Sequence, residues 1–373
     1  MSTPNVPGTD AFDPLSAELI AAFAAWTPGI PSWDEGELDT WARRAFRLQF
    51  EGNKAYGKYC EARGVRPGDV NGWRDVVPVP TEAFRVVDLV VGSGAAVSLT
   101  FLTSGTTRGR SAQGRHLARS PELYRASLRA GFRAFVLPGN IRAKIVTLPP
   151  TFTQETGSSL GWMLDDVRAG FGSGDGVSVA SPGGVDWALL DAEVRESVQS
   201  GRPLYVLGTT VGFAGWLDRM MDGRSPPAQL PEGSTLMDTG GEKGRPGLQR
   251  SSVVRGLTHC LGLSLDAVVN EFGMTELLSQ RYGYGDPARP LVGPPWLRSR
   301  VLDPLTLEEL PDGVVGILCH YDLANLGSVC AVLTEDLGRI VGEGIEWVGR
   351  TEGAPPRGCS LATAELLEAQ DRA

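Results

Sequence analysis

The middle of the chain alternates short β-branched runs with helical stretches, and this pattern constrains the fold more than any other feature. The apolar runs have the length and composition of buried strands. They lie at residues 86–91, 96–102, 145–148, 204–207, 235–237, 314–318 and 328–333. Helical periodicity is found at residues 121–135, 187–200 and 247–261. Because strands that alternate with helices pair in parallel, the sequence predicts an α/β fold with a largely parallel sheet in its middle.

The two ends of the chain differ from this middle part. Apolar residues at helical spacing predict helices at residues 15–26 and 38–63. After residue 294 the chain changes to short strands separated by turns such as Asp303-Pro304. The predicted segments are a helical lead-in packed on the main domain (residues 1–90), a main α/β domain (91–348) with a β-rich subdomain near 294–348, and a short tail (349–373) that carries Cys359.

Charge and composition narrow the classes of protein to which the chain can belong. The 35 Lys and Arg residues against 44 Asp and Glu residues give a net charge of −9, which argues against binding to nucleic acid. The three histidines are far apart and the five cysteines form no Cys-x-x-Cys pair, so a transition-metal site is not expected. The start of the chain is polar, and no apolar run approaches the length of a membrane-spanning helix. We therefore expect a cytoplasmic protein with reduced thiols and no membrane span.

Residues 101–111, FLTSGTTRGRS, form the strongest local motif. An apolar run ends in small and hydroxyl-bearing residues, which are Thr103, Ser104, Gly105, Thr106 and Thr107. Such residues let backbone N–H groups and side-chain hydroxyls converge on one anion, as in phosphate-binding loops. An ordinary Ser/Thr/Gly turn explains the same residues. The motif is not a Walker loop, because it lacks Gly-Lys-[Ser/Thr].

The loop resembles the phosphate loop of the adenylate-forming ligase superfamily. Arg108 stands where that superfamily usually has Gly, and its closing Lys is absent. The acyl-protein synthetases, the branch that supplies long-chain fatty acids for bacterial luminescence, have a similar loop followed by Ser and His. Further blocks that resemble this branch follow in order. They are MDTGGEKGRPG (237–247), EFGMTELLSQ (271–280), PPW (294–296), DPLT (303–306), DLAN (322–325), TEDLG (334–338), GRTEG (349–353) and RGCSL (357–361).

This resemblance covers residues 76–362 and implies the fold of the large N-terminal part of adenylate-forming ligases, with stacked α/β sheets and a small β-rich subdomain. It also implies ATP and Mg²⁺ as cofactors. The implied contacts are Thr103, Ser104, Gly105, Thr106 and Thr107 on the phosphates, Gly240, Gly241, Phe272 and Gly273 at the adenine, Thr275 on the α-phosphate, Glu276 on Mg²⁺, Asp336 on the ribose hydroxyls, and Arg350 at the ribose or the hinge. Each of the last five side chains also has an ordinary alternative role. Phe272 would be a core aromatic residue, Thr275 and Glu276 would form a helix cap, Asp336 would lie in a turn, and Arg350 would lie on the surface.

Adenylate-forming ligases normally bring a lysine from a mobile C-terminal domain onto the carboxylate and the α-phosphate. No lysine follows Lys243 here, and we expect that domain to be truncated. A cation is still required, because a carboxylate and a triphosphate must approach each other and charge develops as pyrophosphate leaves. Lys243 is the candidate replacement and Arg108 is the second; a plain surface lysine is the alternative.

Cys359 lies in the RGCSL block, which matches the terminal motif of the acyl-protein synthetases residue for residue at RGCS. In that family this cysteine takes the acyl group from the adenylate as a thioester. A nearby Arg357 favours the thiolate, and Gly358 leaves the backbone free to move. The alternative is a buried and inert cysteine, which is the commoner situation for a free thiol.

The sequence therefore predicts an enzyme, an ATP-dependent carboxylate ligase that forms an acyl-adenylate from a fatty acid and transfers the acyl group to a protein cysteine thiol. Its expected partners are the carboxylic acid and an acyl-acceptor protein, most plausibly an acyl reductase. Two other interpretations stay open. The first is a ligase that joins an aryl or other specialised acid to CoA or an amine, and the second is a nucleotide-binding subunit that has lost catalysis.

Overall fold

The computed structural model describes residues 9–30, 33–92, 97–103, 113–139, 141–153, 156–240, 245, 247–285, 289–350, 363 and 365–367. Within this part the helices are α1 (Thr9–Ala25), α2 (Glu35–Gly52), α3 (Lys54–Ala62), α4 (Pro121–Phe135), α5 (Ser159–Phe171), α6 (Trp187–Ser200), α7 (Thr210–Met221) and α8 (Arg250–Leu261). The first seven strands are β1 (Val79–Pro80), β2 (Leu99–Leu102), β3 (Arg115–Ala118), β4 (Lys144–Thr147), β5 (Ala180–Ser181), β6 (Gly184–Val185) and β7 (Leu204–Thr209). The others are β8 (Thr235–Thr239), β9 (Val268–Phe272), β10 (Arg281–Tyr284), β11 (Leu297–Leu302), β12 (Gly316–Asp322), β13 (Ala331–Val341) and β14 (Gly344–Arg350).

The chain divides into two compact units. Unit 1 comprises Met1–Ala130, Met274–Ser279 and Gly293–Ala373, and unit 2 comprises Gly131–Gly273 and Gln280–Val292. Neither unit is one continuous piece of sequence, since a six-residue segment of unit 1 is inserted between two parts of unit 2. The three consecutive segments expected from the sequence stay a prediction.

Unit 2 contains the predicted parallel sheet. Its strand order is β10-β9-β8-β7-β4, in which β4, β7, β8 and β9 are parallel and β10 is antiparallel to β9. Val146, Val206 and Leu236 lie in its buried core with Trp216 of α7 and Leu257 of α8. Each large apolar side chain that is removed from water in this way contributes about 1.5–3 kcal/mol to the stability of the fold. Because parallel strands are buried on both faces, their sequences are continuously apolar.

Unit 1 contains the β-rich part of the chain. Its five-stranded sheet has the order β1-β13-β12-β11, with β14 also paired to β13. β2 and β3 form a separate antiparallel pair. The helices of the lead-in belong to this unit, and Phe23 of α1 stacks on the fully buried Trp296 with ring centroids 4.2 Å apart. The Trp296 indole N–H also donates to Ser127 Oγ at 2.8 Å, so the PPW block serves as a packing centre.

Two element predictions need correction. The helix expected over residues 38–63 is two helices, because Asn53 ends α2 with an extended backbone and its side chain caps α3 by accepting from the Tyr56 N–H. Residues 86–91 do not form a strand, although they are apolar. Val91 N–H donates to the Gly327 carbonyl and the Leu89 carbonyl accepts from Ser328 Oγ, so this segment is held by irregular contacts instead of a ladder.

In the described part of the chain, none of the helices combines the length and the apolar character that crossing a membrane requires.

Candidate active site

The segment Met274–Ser279, which contains Thr275 and Glu276, is held inside unit 1 by buried polar side chains. His116 Nδ1 donates to the Thr275 carbonyl at 2.8 Å, because a carbonyl oxygen can only accept. Asn325 Nδ2 donates to the Glu276 carbonyl at 2.8 Å. His116 and Asn325 are each 1% exposed. Both backbone carbonyls of the Thr-Glu pair are therefore held by side chains that are shielded from bulk solvent.

Asp322 anchors the other end of this segment. Its Oδ2 accepts from the N–H groups of Leu278 and Ser279, both at 2.9 Å, and its Oδ1 accepts from Ser279 Oγ at 2.6 Å. Oδ1 also accepts from Ala324 N–H at 3.0 Å and so caps the short helical turn Leu323–Gly327. Burial raises the pKa of Asp322, and the hydrogen bonds oppose that rise. The DLAN block of the sequence thus fixes the end of the EFGMTELLSQ block.

A second group of unit 1 side chains lies on β13 and β14. Asp336 and Arg350 are paired in the antiparallel register, and Arg350 Nε donates to Asp336 Oδ1 at 2.8 Å. Trp347 Nε1 donates to the same oxygen at 3.2 Å. Both hydrogen bonds from described side chains thus go to Oδ1, and Oδ2 accepts none from them. Asp336 is only 4% exposed, so its carboxylate is oriented by packing as well as by charge.

Arg350 lies in the field of several carboxylates. Burial lowers the pKa of the Arg350 guanidinium, but Asp336, Glu335 and Glu276 together raise it more, so its pKa lies above its ordinary value. Glu276 is therefore electrostatically coupled to Arg350, and both belong to unit 1. The structure brings together three residues that the sequence singled out separately: Glu276, Asp336 and Arg350.

Thr103 closes the base of the predicted phosphate loop. It follows β2 directly, and its backbone N–H donates to the Gly114 carbonyl at 2.9 Å. The Gly114 N–H donates back to Thr103 Oγ1 at 2.7 Å. The loop thus starts and ends on neighbouring strands of one antiparallel pair. Its remaining predicted contacts, Ser104, Gly105, Thr106 and Thr107, lie outside the described residues, as does Arg108.

In unit 2, acidic and hydroxyl side chains meet at the carboxyl ends of parallel strands β8 and β9. Thr239 Oγ1 donates to Glu271 Oε2, and Glu271 is 3% exposed. A Cβ atom placed on Gly273 would lie 2.5 Å from Glu271 Oε1. A larger residue at position 273 would therefore displace the buried carboxyl of Glu271. Phe272, between them, is half-buried and lies opposite Arg281 in the β9–β10 register.

Asp238 organises the neighbouring strand end. Arg250 donates to it through Nε at 2.8 Å and through Nη2 at 2.7 Å, a bidentate ion pair with a carboxylate that is 1% exposed. Thr210 Oγ1 lies 2.9 Å from both Asp238 Oδ2 and the Gly240 carbonyl. Gly240 has φ +77°, a conformation that side chains disfavour. The start of the predicted adenine block is thus positioned by buried charge; Gly241 and Lys243 lie outside the described residues.

Comparison with known proteins decides the family. Residues 38–367 match the sequence profile of the acyl-protein synthetase, LuxE, family, which is most of the chain. The chain belongs to this family. It is 23% identical over 337 residues to a long-chain-fatty-acid–luciferin-component ligase of Vibrio harveyi, covering 88% of this chain and 87% of that protein. It is 30% identical over 84 residues to the ligase of the same name from Aliivibrio fischeri, covering 20% and 22% respectively.

Solved structures confirm the fold. A 2-hydroxyisobutyryl-CoA ligase, solved in complex with 2-HIB-AMP and CoA, superposes with a TM-score of 0.63 at 14% identity, covering 88% of this chain and 75% of that chain. The predicted α/β fold of adenylate-forming ligases is therefore confirmed. As a member of the acyl-protein synthetase family, the chain is an acid ligase that forms an acyl-adenylate and transfers the acyl group.

The described cysteines of this acyl-protein synthetase do not have the environment of a nucleophile. Burial raises the pKa of Cys60 to about 12 and also raises the pKa of Cys319 and of Cys330. Cys260 is partly buried and packs against the core of unit 2. Cys359, the predicted nucleophile, lies outside the described residues.

Several residues outside the predicted nucleotide contacts turn out to hold the motifs. Asp322 and Asn325 stood in a recognised block, and His116 stood just after the phosphate loop, but no local pattern indicated their contacts. Asp238 and Glu271 are the two residues of this group whose positions could have been recognised from the sequence. Each is an acidic residue at the end of a predicted or apolar strand, where parallel sheets place functional groups.

The raised pKa of Glu271 is expected to make the stability of the protein depend on pH. Burial raises the pKa of its carboxyl to about 7 from 4.5; the hydrogen bond from Thr239 opposes the rise and Asp238 adds to it. Between these pH values the folded chain keeps a proton that the unfolded chain releases, so stability falls as the pH rises. The loss is complete above pH 7 and amounts to about 3 kcal/mol.

Glu271→Gln is expected to remove this loss, since the amide keeps the acceptor for Thr239 and stays neutral. Urea unfolding at pH 5 and pH 8 measures the effect: the variant gains about 2.5 kcal/mol on the wild type between the two conditions, since part of the loss lies below pH 5. Glu232→Gln, at an exposed carboxylate of the same unit, is the matched control and should show no such gain. An equal pH response in both variants would contradict the assignment.

Proposed function

We propose that this acyl-protein synthetase activates a long-chain fatty acid with Mg-ATP, holds the acyl group on Cys359 as a thioester, and passes it to an acyl-acceptor protein such as a reductase. The observation that carries the proposal is the Thr275-Glu276 pair, whose two carbonyls are held by buried side chains and whose carboxylate is coupled to the Asp336–Arg350 pair. The names of the Vibrio harveyi and Aliivibrio fischeri relatives support the choice of a long-chain fatty acid.

In the first step a carboxylate oxygen of the acid attacks the α-phosphorus of ATP, the bond to the bridging oxygen breaks, and pyrophosphate leaves. The hydroxyl of Thr275 donates a hydrogen bond to the α-phosphate. Asp336 accepts the ribose hydroxyls through Oδ2, because Oδ1 already accepts from Arg350 and Trp347. Arg350 therefore acts at the ribose end by orienting this carboxylate.

The remaining nucleotide contacts are assigned to the phosphate loop and to the blocks around Gly240 and Phe272. Phe272 stacks on the adenine, Gly273 keeps the turn beside it narrow, and Gly240 and Gly241 let the backbone approach the base. Closely spaced donors grip the leaving phosphates. These donors are Thr103, Ser104, Gly105, Thr106 and Thr107.

Magnesium fits this set of residues. The described residues include no group of three or more His, Cys, Asp or Glu side chains that would hold a metal without a substrate. Mg²⁺ takes one or two carboxylates and completes its shell with phosphate oxygens and water. Glu276, an 8% exposed carboxylate next to Thr275, is the residue proposed to hold it, and the metal supplies charge stabilisation on the phosphates.

Lys243 is proposed to stabilise the charge that develops between the carboxylate and the α-phosphate. The chain has four lysines, at positions 54, 58, 144 and 243. Lys144 Nζ is already neutralised by Glu193 at 2.5 Å and Glu196 at 2.7 Å. Lys54 and Lys58 lie on α3, away from every nucleotide motif in the sequence. Lys243 alone stands within such a motif, next to Gly241.

Lys243→Met is expected to lower the rate of acyl-adenylate formation about 100-fold, because removal of one charge-stabilising donor costs this much in comparable enzymes. Acid-dependent exchange of pyrophosphate into ATP measures this step. Lys54→Met, at an exposed lysine, is the matched control and should exchange at the wild-type rate. Equal rates for the two variants would remove Lys243 from the mechanism and leave Arg108 as the next cation to test.

In the second step the Cys359 thiolate attacks the acyl carbonyl carbon, the bond to the phosphate oxygen breaks, and AMP leaves. Both leaving groups, pyrophosphate and AMP, are better than the hydroxide that direct thioester formation would expel. Tethering the thiol to the enzyme makes this step intramolecular. A thioester then carries the acyl group to the partner, and we place both proteins in the cytoplasm, where thiols stay reduced.

Intact-mass measurement after incubation with Mg-ATP and a panel of fatty and aryl acids tests the proposal. The expected result is an acid-dependent mass gain that equals one acyl group and is removed by hydroxylamine, with long-chain fatty acids giving the most adduct. AMP release only on addition of CoA or an amine, without an adduct, would contradict the protein thioester and favour a small-molecule acceptor.

A further inference from the structure

Two polar atoms close to the Thr-Glu pair are buried without a hydrogen-bond partner among the described residues. They are Nε2 of His116 and Oδ1 of Asn325. Each belongs to a side chain whose other polar atom holds a carbonyl of Thr275 or Glu276. Leaving such an atom unsatisfied is costly, so two of them beside one motif need an explanation.

The hydrogen-bonding character of both atoms follows from their partners. His116 Nδ1 carries a proton, because it faces the Thr275 carbonyl. Burial lowers the pKa of His116 to about 4, although the hydrogen bond to Thr275 opposes this. The ring is therefore neutral near pH 7, and Nε2 is an acceptor. Asn325 Nδ2 donates to the carbonyls of Glu276 and Val329, so its amide orientation is determined and Oδ1 is also an acceptor.

Two acceptors cannot bond to each other, but a water molecule can donate to both. His116 and Asn325 line the same cavity of unit 1, which has a volume of about 10 Å³. This is close to the space that one buried water molecule needs. The cavity walls also include Ser120, Leu278 and Ala324.

We infer that His116 and Asn325, bridged by one buried water molecule, form a positioning unit for Thr275 and Glu276. We name this unit the His-water-Asn bridge. It connects β3, which follows the phosphate loop, to the DLAN block, and it keeps the carbonyls of Thr275 and Glu276 at a fixed distance from each other. The hydroxyl of Thr275 and the carboxylate of Glu276 then point toward the nucleotide without further ordering. This inference rests on the proposed function of these two residues.

Substitutions that imitate one ring nitrogen at a time separate positioning from packing. Gln places its amide near Nε2 of a histidine, and Asn places its amide near Nδ1. His116→Gln therefore loses the donor to Thr275, whereas His116→Asn keeps it. We expect kcat/KM for Mg-ATP in acid-dependent pyrophosphate exchange to fall about 10–100-fold in His116→Gln and less than about 5-fold in His116→Asn, in line with residues that orient metal ligands.

Asn325→Asp tests the other side of the bridge at constant volume. It replaces the donor to the Glu276 carbonyl by an oxygen, and we expect the same fall of about 10–100-fold. KM for the fatty acid should change less than KM for Mg-ATP in both variants, because Thr275 and Glu276 contact only the nucleotide.

The matched control is His320→Gln. His320 is another fully buried histidine of unit 1, and its Nδ1 lies 2.7 Å from Ser299 Oγ on β11. We expect it to lower the midpoint of thermal unfolding as much as His116→Gln but to leave kcat/KM for Mg-ATP within about 2-fold. Equal kinetic effects in the two histidine variants would overturn the positioning role and leave only a packing role.

Two readouts do not depend on activity. With three histidines in the chain, ¹⁵N NMR of the labelled imidazoles should show one neutral ring protonated at Nδ1 that disappears in His116→Gln. A high-resolution crystal structure should show one water within hydrogen-bonding distance of His116 Nε2 and Asn325 Oδ1. A ring protonated at Nε2, or no such water, would overturn the bridge. Absence of exchange in the wild type with every acid would instead overturn the proposed function.

Discussion

Cys359→Ser is expected to abolish the acyl-enzyme thioester while acid-dependent exchange of pyrophosphate into ATP continues. The exchange needs only the nucleotide site, whereas the thioester needs the sulfur. The rate of acyl transfer should fall by three or more orders of magnitude (~10³ or more), as when the nucleophile of other covalent enzymes is removed. Intact mass and AMP release, measured on the same samples, report the two steps separately.

Cys260→Ser provides the matched control for this result. Cys260 is partly buried on α8 and packs against the core of unit 2, whereas Cys60, Cys319 and Cys330 are buried. The control should keep the full adduct. An adduct that persists in Cys359→Ser, or that is lost in Cys260→Ser, would assign the nucleophile to a different cysteine. Loss of pyrophosphate exchange in Cys359→Ser would show that the tail also takes part in adenylation.

Asp322→Asn is expected to destabilise the protein by about 1–3 kcal/mol, the cost of leaving a buried donor without its hydrogen-bond partner. The carboxylate accepts four hydrogen bonds from Leu278, Ser279 and Ala324, and it is 0% exposed. An amide turns one accepting oxygen into a donor that faces other donors, so at least one buried N–H loses its partner. Urea unfolding followed by tryptophan fluorescence measures the change.

Asp303→Asn is the matched control for this second prediction. Asp303 Oδ1 accepts from the N–H groups of Leu305 at 2.8 Å and Thr306 at 2.9 Å, in a turn at the surface. Water can replace a lost partner there, so the expected loss of stability is much smaller than in Asp322→Asn. Similar losses in the two variants would mean that the Asp322 network contributes no more than an ordinary turn.

Local periodicity explains why some elements were predicted to the residue. α4 and α6 begin and end where their apolar spacing does. α7 was missed because Thr209 is both the last residue of β7 and the N-cap of the helix, so no linker separates the two patterns. Gly212 and Gly215 also lower its helix propensity. Short apolar runs such as residues 86–91 have the composition of strands, but a local pattern does not show whether a pairing partner exists.

The family and its motifs could be recognised from the sequence, because a phosphate loop, an aromatic-Gly-x-Thr-Glu block and a terminal cysteine block occur in a fixed order. The roles given to Lys243, Cys359 and the loop hydroxyls stay predictions. For Asp336 and Arg350 the structure adds a direct ion pair at 2.8 Å, which the sequence spacing of 14 residues does not indicate.

Sequence alone determined the α/β class and the acyl-protein synthetase family, since both depend on short patterns within the chain, and it predicted the residues that carry the chemistry. Only the tertiary structure decided what holds Thr275 and Glu276 in place. His116 lies 159 residues from Thr275, and Asn325 lies 49 residues from Glu276. A hydrogen bond between such distant residues forms because folding removes both groups from water and brings each side-chain donor to a backbone carbonyl that needs a partner.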